Sequence, residues 1–273
     1  MTWLIIWILL YLILIVVFTL RHVRTNDPES YLVNNRATRT LPLVFTTLAT
    51  FVGGGTSMGL MAMGYESGFA AIGIGIAYVI GFFILARFAA KINRLGFAFS
   101  LYSLPGFLNL SYTEDSDRKH ARYFSSVVSG VNIFIFFFLL AAQFVGMASL
   151  LKYSFDLGYQ SAAIISCLIV IFYTALAGLS GVIITDMIQF VIIILMIVLI
   201  FIPGIIVDTD GLSRLSELPE TMLYGTQYGW GFLIGLLLFL SPSVMVRMDI
   251  WQRILAARDA RTEIGRASCR ERV

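Results

Sequence analysis

The chain has 273 residues, 59% of them hydrophobic and only 13% charged, about half the charge of an ordinary soluble domain. That balance excludes a soluble globular protein and places the chain in a lipid bilayer as an all-α integral membrane protein. The net charge of +3 reports how the loops face the two sides of the membrane and is no footprint of nucleic-acid binding.

A helix needs about 20 mainly apolar residues to cross a bilayer. Seven such runs are expected to span: residues 2–20, 42–66, 69–90, 123–150, 162–176, 181–207 and Gly229–Val246. The first has no basic residue before it and no small-x-small cleavage site, and Arg21 and Arg24 follow it directly. It reads as a retained anchor with its N-terminus outside. Alternating sides from there puts fourteen lysines and arginines in the cytoplasm, Arg247 and Arg253 among them, and only Lys152 and Arg214 outside. That asymmetry is the positive-inside pattern.

The second run holds three consecutive glycines, Gly53, Gly54 and Gly55, in an otherwise helical apolar segment. An unpaired carbonyl in lipid costs several kcal/mol, so a helix breaks there only if protein, water or an ion satisfies the freed groups. The glycines are the expected break, and the carbonyls just before it, from Ala49 to Val52, could face a cation. Close helix packing is the competing explanation, through Ala49 with Gly53 and Gly55 with Gly59 as small-residue pairs. Thr46, Thr50 and Ser57 add hydroxyls on roughly one face, although such hydroxyls often bond back to their own helix.

In the third run Gly73 and Gly75 sit mid-membrane, which rules out a dinucleotide loop. Asn132 and Gln143 are polar positions of the fourth run, suited to hydrogen bonds between helices. His22 and His120 stand in separate loops and Cys167 in an apolar span, so no metal cluster or disulfide is expected.

Between the fifth and sixth runs a short glycine-containing turn is followed by Asp186, the one carboxylate well inside a predicted span. An intramembrane acid is expensive and suggests an ion or proton path. Its place near a helix start offers a plainer alternative, because the helix dipole favours an acid there.

The last eleven residues, 263–273, break with everything before them and match a translated sequencing adapter. Residues 1–262 are then the natural part of the chain, which is expected to continue beyond Thr262, and Cys269 is not native.

Three stretches carry a family resemblance. Ala177-Gly178-Leu179-Ser180-Gly181-Val182-Ile183-Ile184-Thr185-Asp186-Met187-Ile188-Gln189 resembles the signature of the sodium/solute symporter family, with Ala177 and Ile184 departing from its usual Gly and Trp. Ser103-Leu104-Pro105 and Asp249-Ile250-Trp251-Gln252-Arg253 are similar to further motifs in the same order.

The resemblance implies a partial LeuT-type transporter, in which two inverted five-helix repeats hold solute and ion at the midplane. Runs two to six would form the first repeat, and run seven would open a second, truncated one. It also implies that a sodium ion is held by the backbone carbonyls of Ala49 and Val52, with hydroxyls from a later helix absent here.

Gly55, Thr56, Ile74 and Gly75 stand where sugar-transporting relatives carry polar residues, which argues against a sugar. Phe51 before Val-Gly-Gly-Gly resembles the choline branch and could face an ammonium, although packing is its commoner role. Phe51 and Thr56 are thus the possible solute-facing residues.

The expected function is sodium-coupled symport of a small organic solute across the plasma membrane, without covalent chemistry and with sodium as the only required ion. A transporter-like sensor module of a signalling protein is the alternative. A lipid-modifying enzyme would need a nucleophile or metal cluster that these spans lack.

Overall fold

The computed structural model describes residues 28–113 and 118–258, together with Ile6, Trp7, Leu10, Tyr11, Ile13, Leu14, Val16 and Val17 of the first run. The rest of that run, Arg21, His22, Arg24 and residues 259–273, including the adapter-like tail and Cys269, lie outside the described residues.

Regular structure among the described residues is helical, apart from one isolated bridge between Thr38 and Ala257. In chain order the helices are α1 (Pro28–Val33), α2 (Thr40–Phe51), α3 (Gly54–Ser67), α4 (Ile72–Ala98), α5 (Leu104–Thr113), α6 (Arg118–Phe155), α7 (Tyr159–Met196), α8 (Ile202–Asp208), α9 (Glu220–Leu223), α10 (Gly229–Gly235), α11 (Ser241–Val246) and α12 (Met248–Ala256). Wide π-helical turns at Ile197–Phe201 and Leu236–Leu240 join α7 to α8 and α10 to α11.

Four helical stretches among the described residues are long and apolar enough to cross a membrane: Thr56–Ala98, Lys119–Phe155, Gly178–Asp208 and Gly229–Val246. Thr40–Phe51 and Tyr159–Phe172 are shorter apolar helices. Four is fewer than the seven spans expected from sequence, and two glycines of positive φ stand between neighbouring runs. Gly68 (φ 57°) closes α3, and a Cβ there would run into the Met222 carbonyl oxygen. Gly178 (φ 57°, ψ −157°) interrupts α7 between the fifth and sixth runs. Both are conformations that glycine alone adopts without strain.

A boundary also differs from the sequence expectation. α4 continues past residue 90 to Ala98, because Ile92, Asn93 and Gly96 are buried and continue its packed face among the charges. Ser103-Leu104-Pro105, which falls between the third and fourth runs, leads into α5. The Ser103 hydroxyl accepts the Gly106 N–H at 3.1 Å, an N-cap, and Pro105 sits in the first turn where its missing donor costs nothing.

The packing centres on α12, although its sequence is too charged to read as a span. Ile250, Trp251, Ile254, Leu255 and Ala256 belong to the main buried cluster with Val33, Leu85, Ala89, Leu104 and Val244. α2 packs on α7, α4 on α11, α3 and α5 on α6, and α12 touches α1, α2, α4, α5 and α11. Large apolar side chains such as Phe83, Phe134, Phe137 and Leu199 remain exposed on the outside, as lipid-facing helices require.

Candidate functional site

The second run is interrupted at the front of its glycine run, and two of the three glycines named for the break lie beyond it. α2 ends at Phe51, Val52 (φ −100°, ψ 62°) and Gly53 (φ −94°, ψ 166°) leave the helix, and Gly54 and Gly55 already lie in the first turn of α3. The Ala49 carbonyl takes the Val52 N–H at 3.1 Å, and the Gly53 carbonyl takes the Ser57 N–H at 2.8 Å. Ala49 is buried, Val52 is exposed and Thr56 is half-buried on α3. Packing operates at the same place, since a Cβ on Gly53 would lie 2.5 Å from the Gln143 Oε1 of α6.

Below the break, on the side where α2 begins, stands a charged network. The Arg253 Nη2 lies 3.2 Å from Asp186 Oδ2, with side chains 7% and 14% exposed. Arg253 Nε donates to Thr46 Oγ1 at 3.2 Å, and the Thr46 hydroxyl donates to the same Asp186 oxygen at 2.5 Å. Arg253 Nη2 also donates to the Thr50 hydroxyl, and Nη1 to the Asp249 carbonyl at 3.0 Å. Thr50 donates back to the Thr46 carbonyl at 2.8 Å, so the expected back-bonding and a cross-helix role coexist in one side chain. Asp186 is therefore compensated by a cation from α12.

From sequence, Arg247 and Arg253 are expected in a cytoplasmic loop. The structure instead sets α12 beside α2. Thr38, just before α2, donates to the Ala256 carbonyl at 3.1 Å and accepts from the Arg258 N–H at 2.9 Å. Thr46 and Thr50 meet Arg253 in the middle, and Phe51 at the far end of α2 meets Arg247. α12 thus runs back along α2, and the chain from α10 to α12 has its own interruption at Arg247 (φ −73°, ψ 122°). Sequence reasoning misses this second break. The available signal is the spacing of Ile250, Trp251, Ile254 and Leu255, which marks one apolar helix face directly after the seventh run.

Around this break Arg247 pairs with Asp249 through two hydrogen bonds, Nε to Oδ1 at 3.0 Å and Nη2 to Oδ2 at 2.6 Å. Its guanidinium carbon stands 4.5 Å from the centroid of the Phe51 ring. Phe51 packs edge-on against Tyr78 and Phe82 of α4, with centroids 5.3 and 4.9 Å away. Phe51 therefore combines aromatic packing with a cation contact, and the cation belongs to the protein.

Two further polar positions bond within the protein. Asn132 donates back to the Val128 carbonyl at 3.2 Å. Gln189 donates to the Tyr11 hydroxyl and so joins α7 to the first run. No group of three or more His, Cys, Asp or Glu residues suited to a metal occurs among the described residues.

An all-helical membrane protein with an interrupted apolar helix and compensated charges among its spans has the construction of proteins that move ions or solutes through a bilayer. The model of the sodium:solute symporter family matches residues 31–223, and the chain belongs to that family. It is 26% identical over 201 residues to "Sodium/proline symporter 2" of Staphylococcus saprophyticus, covering 72% of this chain and 38% of the relative. It is 27% identical over 204 residues to "Sodium/proline symporter" of Staphylococcus aureus, covering 73% of this chain and 38% of that relative. The matched region thus spans well under half the length of these relatives. No solved structure gives a significant match.

Proposed function

We infer that the chain is the N-terminal part of a sodium-coupled symporter, which carries a small organic solute across the plasma membrane by alternating access. The observation that carries this is the interruption of α2 at Val52 and Gly53 in a chain of the symporter family. Freed backbone in a membrane helix is tolerated where it is satisfied, and a coupling ion can satisfy it. Sodium binds there through the carbonyls of Ala49 and Val52, and a later helix of the full protein supplies the remaining oxygens.

The LeuT-type arrangement fits the positions of the two breaks. Runs two to six form the first repeat and run seven opens the second, so that each repeat begins with an interrupted helix. The antiparallel course of α2 and α12 supports that reading. The excess of lysine and arginine on one set of loops supports an N-terminus outside.

Asp186 serves the ion path on the cytoplasmic side of the break. Its Oδ2, with Thr46, forms an oxygen-lined position that Arg253 fills in the present state. The solute is an amino acid or similar small molecule, since both relatives carry proline in their names. The Phe51 face proposed for a choline-like ammonium is covered by Arg247. No observation favours the sensor alternative.

The experiment is uptake of labelled L-proline by the full-length protein in proteoliposomes under an inward sodium gradient. Accumulation that collapses when a sodium ionophore removes the gradient is expected. Equal accumulation with potassium in place of sodium would refute sodium coupling.

A further inference from the structure

Arg247 and Asp249 flank the break between α11 and α12, with side chains 22% and 15% exposed. Partly buried ion pairs add little net stability, because desolvation offsets most of the attraction. An arginine and an aspartate kept among apolar helices therefore call for another role. Asp249 has a local one, since it lies in the first turn of α12, where a carboxylate meets the positive end of the helix dipole. Arg247 gains nothing from that dipole, because a cation at the same end opposes it.

What Arg247 does face is the end of α2. Its guanidinium covers the Phe51 ring, one residue before the interruption at Val52 and Gly53. Phe51, Tyr78 and Phe82 form an aromatic floor. A cation thus stands on that floor between two helix interruptions, with Asp249 as its ion-pair partner. Solutes of transporters built from discontinuous helices bind between such interruptions.

We propose that Arg247 and Asp249 are the solute-reading pair of this protein and that the solute is a small zwitterion. The solute carboxylate takes the two-pronged position on Arg247 that Asp249 holds at rest, as a planar guanidinium favours. Asp249 is thereby released to the cationic group of the solute. One ion pair is exchanged for two, and the site stays neutral both empty and loaded. An uncharged polyol offers neither charge, and a quaternary ammonium without a carboxylate leaves Asp249 no reason to release Arg247. This assignment rests on the symporter function inferred above.

The test uses the full-length protein in proteoliposomes with labelled L-proline and glycine betaine as zwitterions, choline as a cation and D-galactose as an uncharged solute. Sodium-driven uptake of at least one zwitterion, and of neither choline nor galactose, is expected. For that zwitterion, loss of a two-pronged charged contact in Arg247→Gln raises KM about tenfold or more. Vmax per inserted protein stays within about twofold in the same variant, because KM alone reports lost ground-state binding. Arg247→Lys falls between parent and Gln, since it keeps the charge and loses the fork. A merely structural role would instead lower inserted protein and Vmax at a parent-like KM, and that result overturns the proposal. Sodium-driven uptake of choline or galactose also overturns it, while leaving symport intact. Absence of sodium-driven uptake of every probe by the parent overturns the symporter function and this site with it.

Discussion

Arg253 on α12 pairs with Asp186 on α7 at 3.2 Å, and Thr46 of α2 bridges the two side chains. Three helices from distant parts of the chain therefore meet at one buried charge pair. Removing one member of such a pair costs about 3–5 kcal/mol, mostly from the charge left behind, whereas removing both costs far less. Arg253→Gln and Asp186→Asn are each expected to lower the thermal midpoint of the full-length protein in detergent more than the double variant does. A double variant that merely sums the single losses would show that the two residues act independently.

The same variants separate stability from ion handling. If Asp186 serves the ion path, the double variant Asp186→Asn with Arg253→Gln regains much of its stability while its sodium-driven uptake stays slow and its sodium requirement rises. Parent-like sodium dependence and rate in that stable double variant would reduce Asp186 to a partner of Arg253. The measurement is initial uptake rate against external sodium, normalised to inserted protein.

Gly178 gives a prediction independent of function. Its φ of 57° and ψ of −157° are open to glycine, and a Cβ would lie 2.6 Å from Tyr31 Cδ2 and 2.8 Å from the Tyr31 carbonyl oxygen. Gly178→Ala is expected to destabilise by about 2 kcal/mol or more, from backbone strain and overpacking together. Adding Tyr31→Ala removes the ring but neither the carbonyl clash nor the strain, so it rescues only part of the loss. Full rescue, read from thermal midpoints, would show that ring crowding alone matters.

Much of this architecture is legible in the sequence, because bilayer thickness ties span length to apolar run length. The break in the second run is legible because three glycines interrupt such a run, and Gly178 because it stands in a recognisable motif. The compensation of Asp186 is not. Its partner lies 67 residues later, in a nine-residue helix whose Asp249, Gln252 and Arg253 look like loop. Only the packed structure shows that the Arg253 stem crosses to α2, while Ile250, Trp251 and Ile254 bury the other contacts of that helix. The role of Gly53 is half legible. Its freedom to leave the helix follows from residue type, but its closeness to Gln143 depends on how α6 crosses the break.

The most direct test of the central claim, that sodium is read at the α2 interruption, is the half-saturating sodium concentration for solute uptake in Gly53→Ala combined with Gln143→Ala. Alanine at 53 favours helix through the break by about 1 kcal/mol, and shortening Gln143 removes the 2.5 Å clash. Packing is thereby relieved while the course of the Ala49 and Val52 carbonyls is disturbed. The double variant is expected to insert normally and to need several-fold more sodium than Gln143→Ala alone. A half-saturating concentration equal to that of Gln143→Ala, in protein inserted to the same level, would contradict a sodium site at this break.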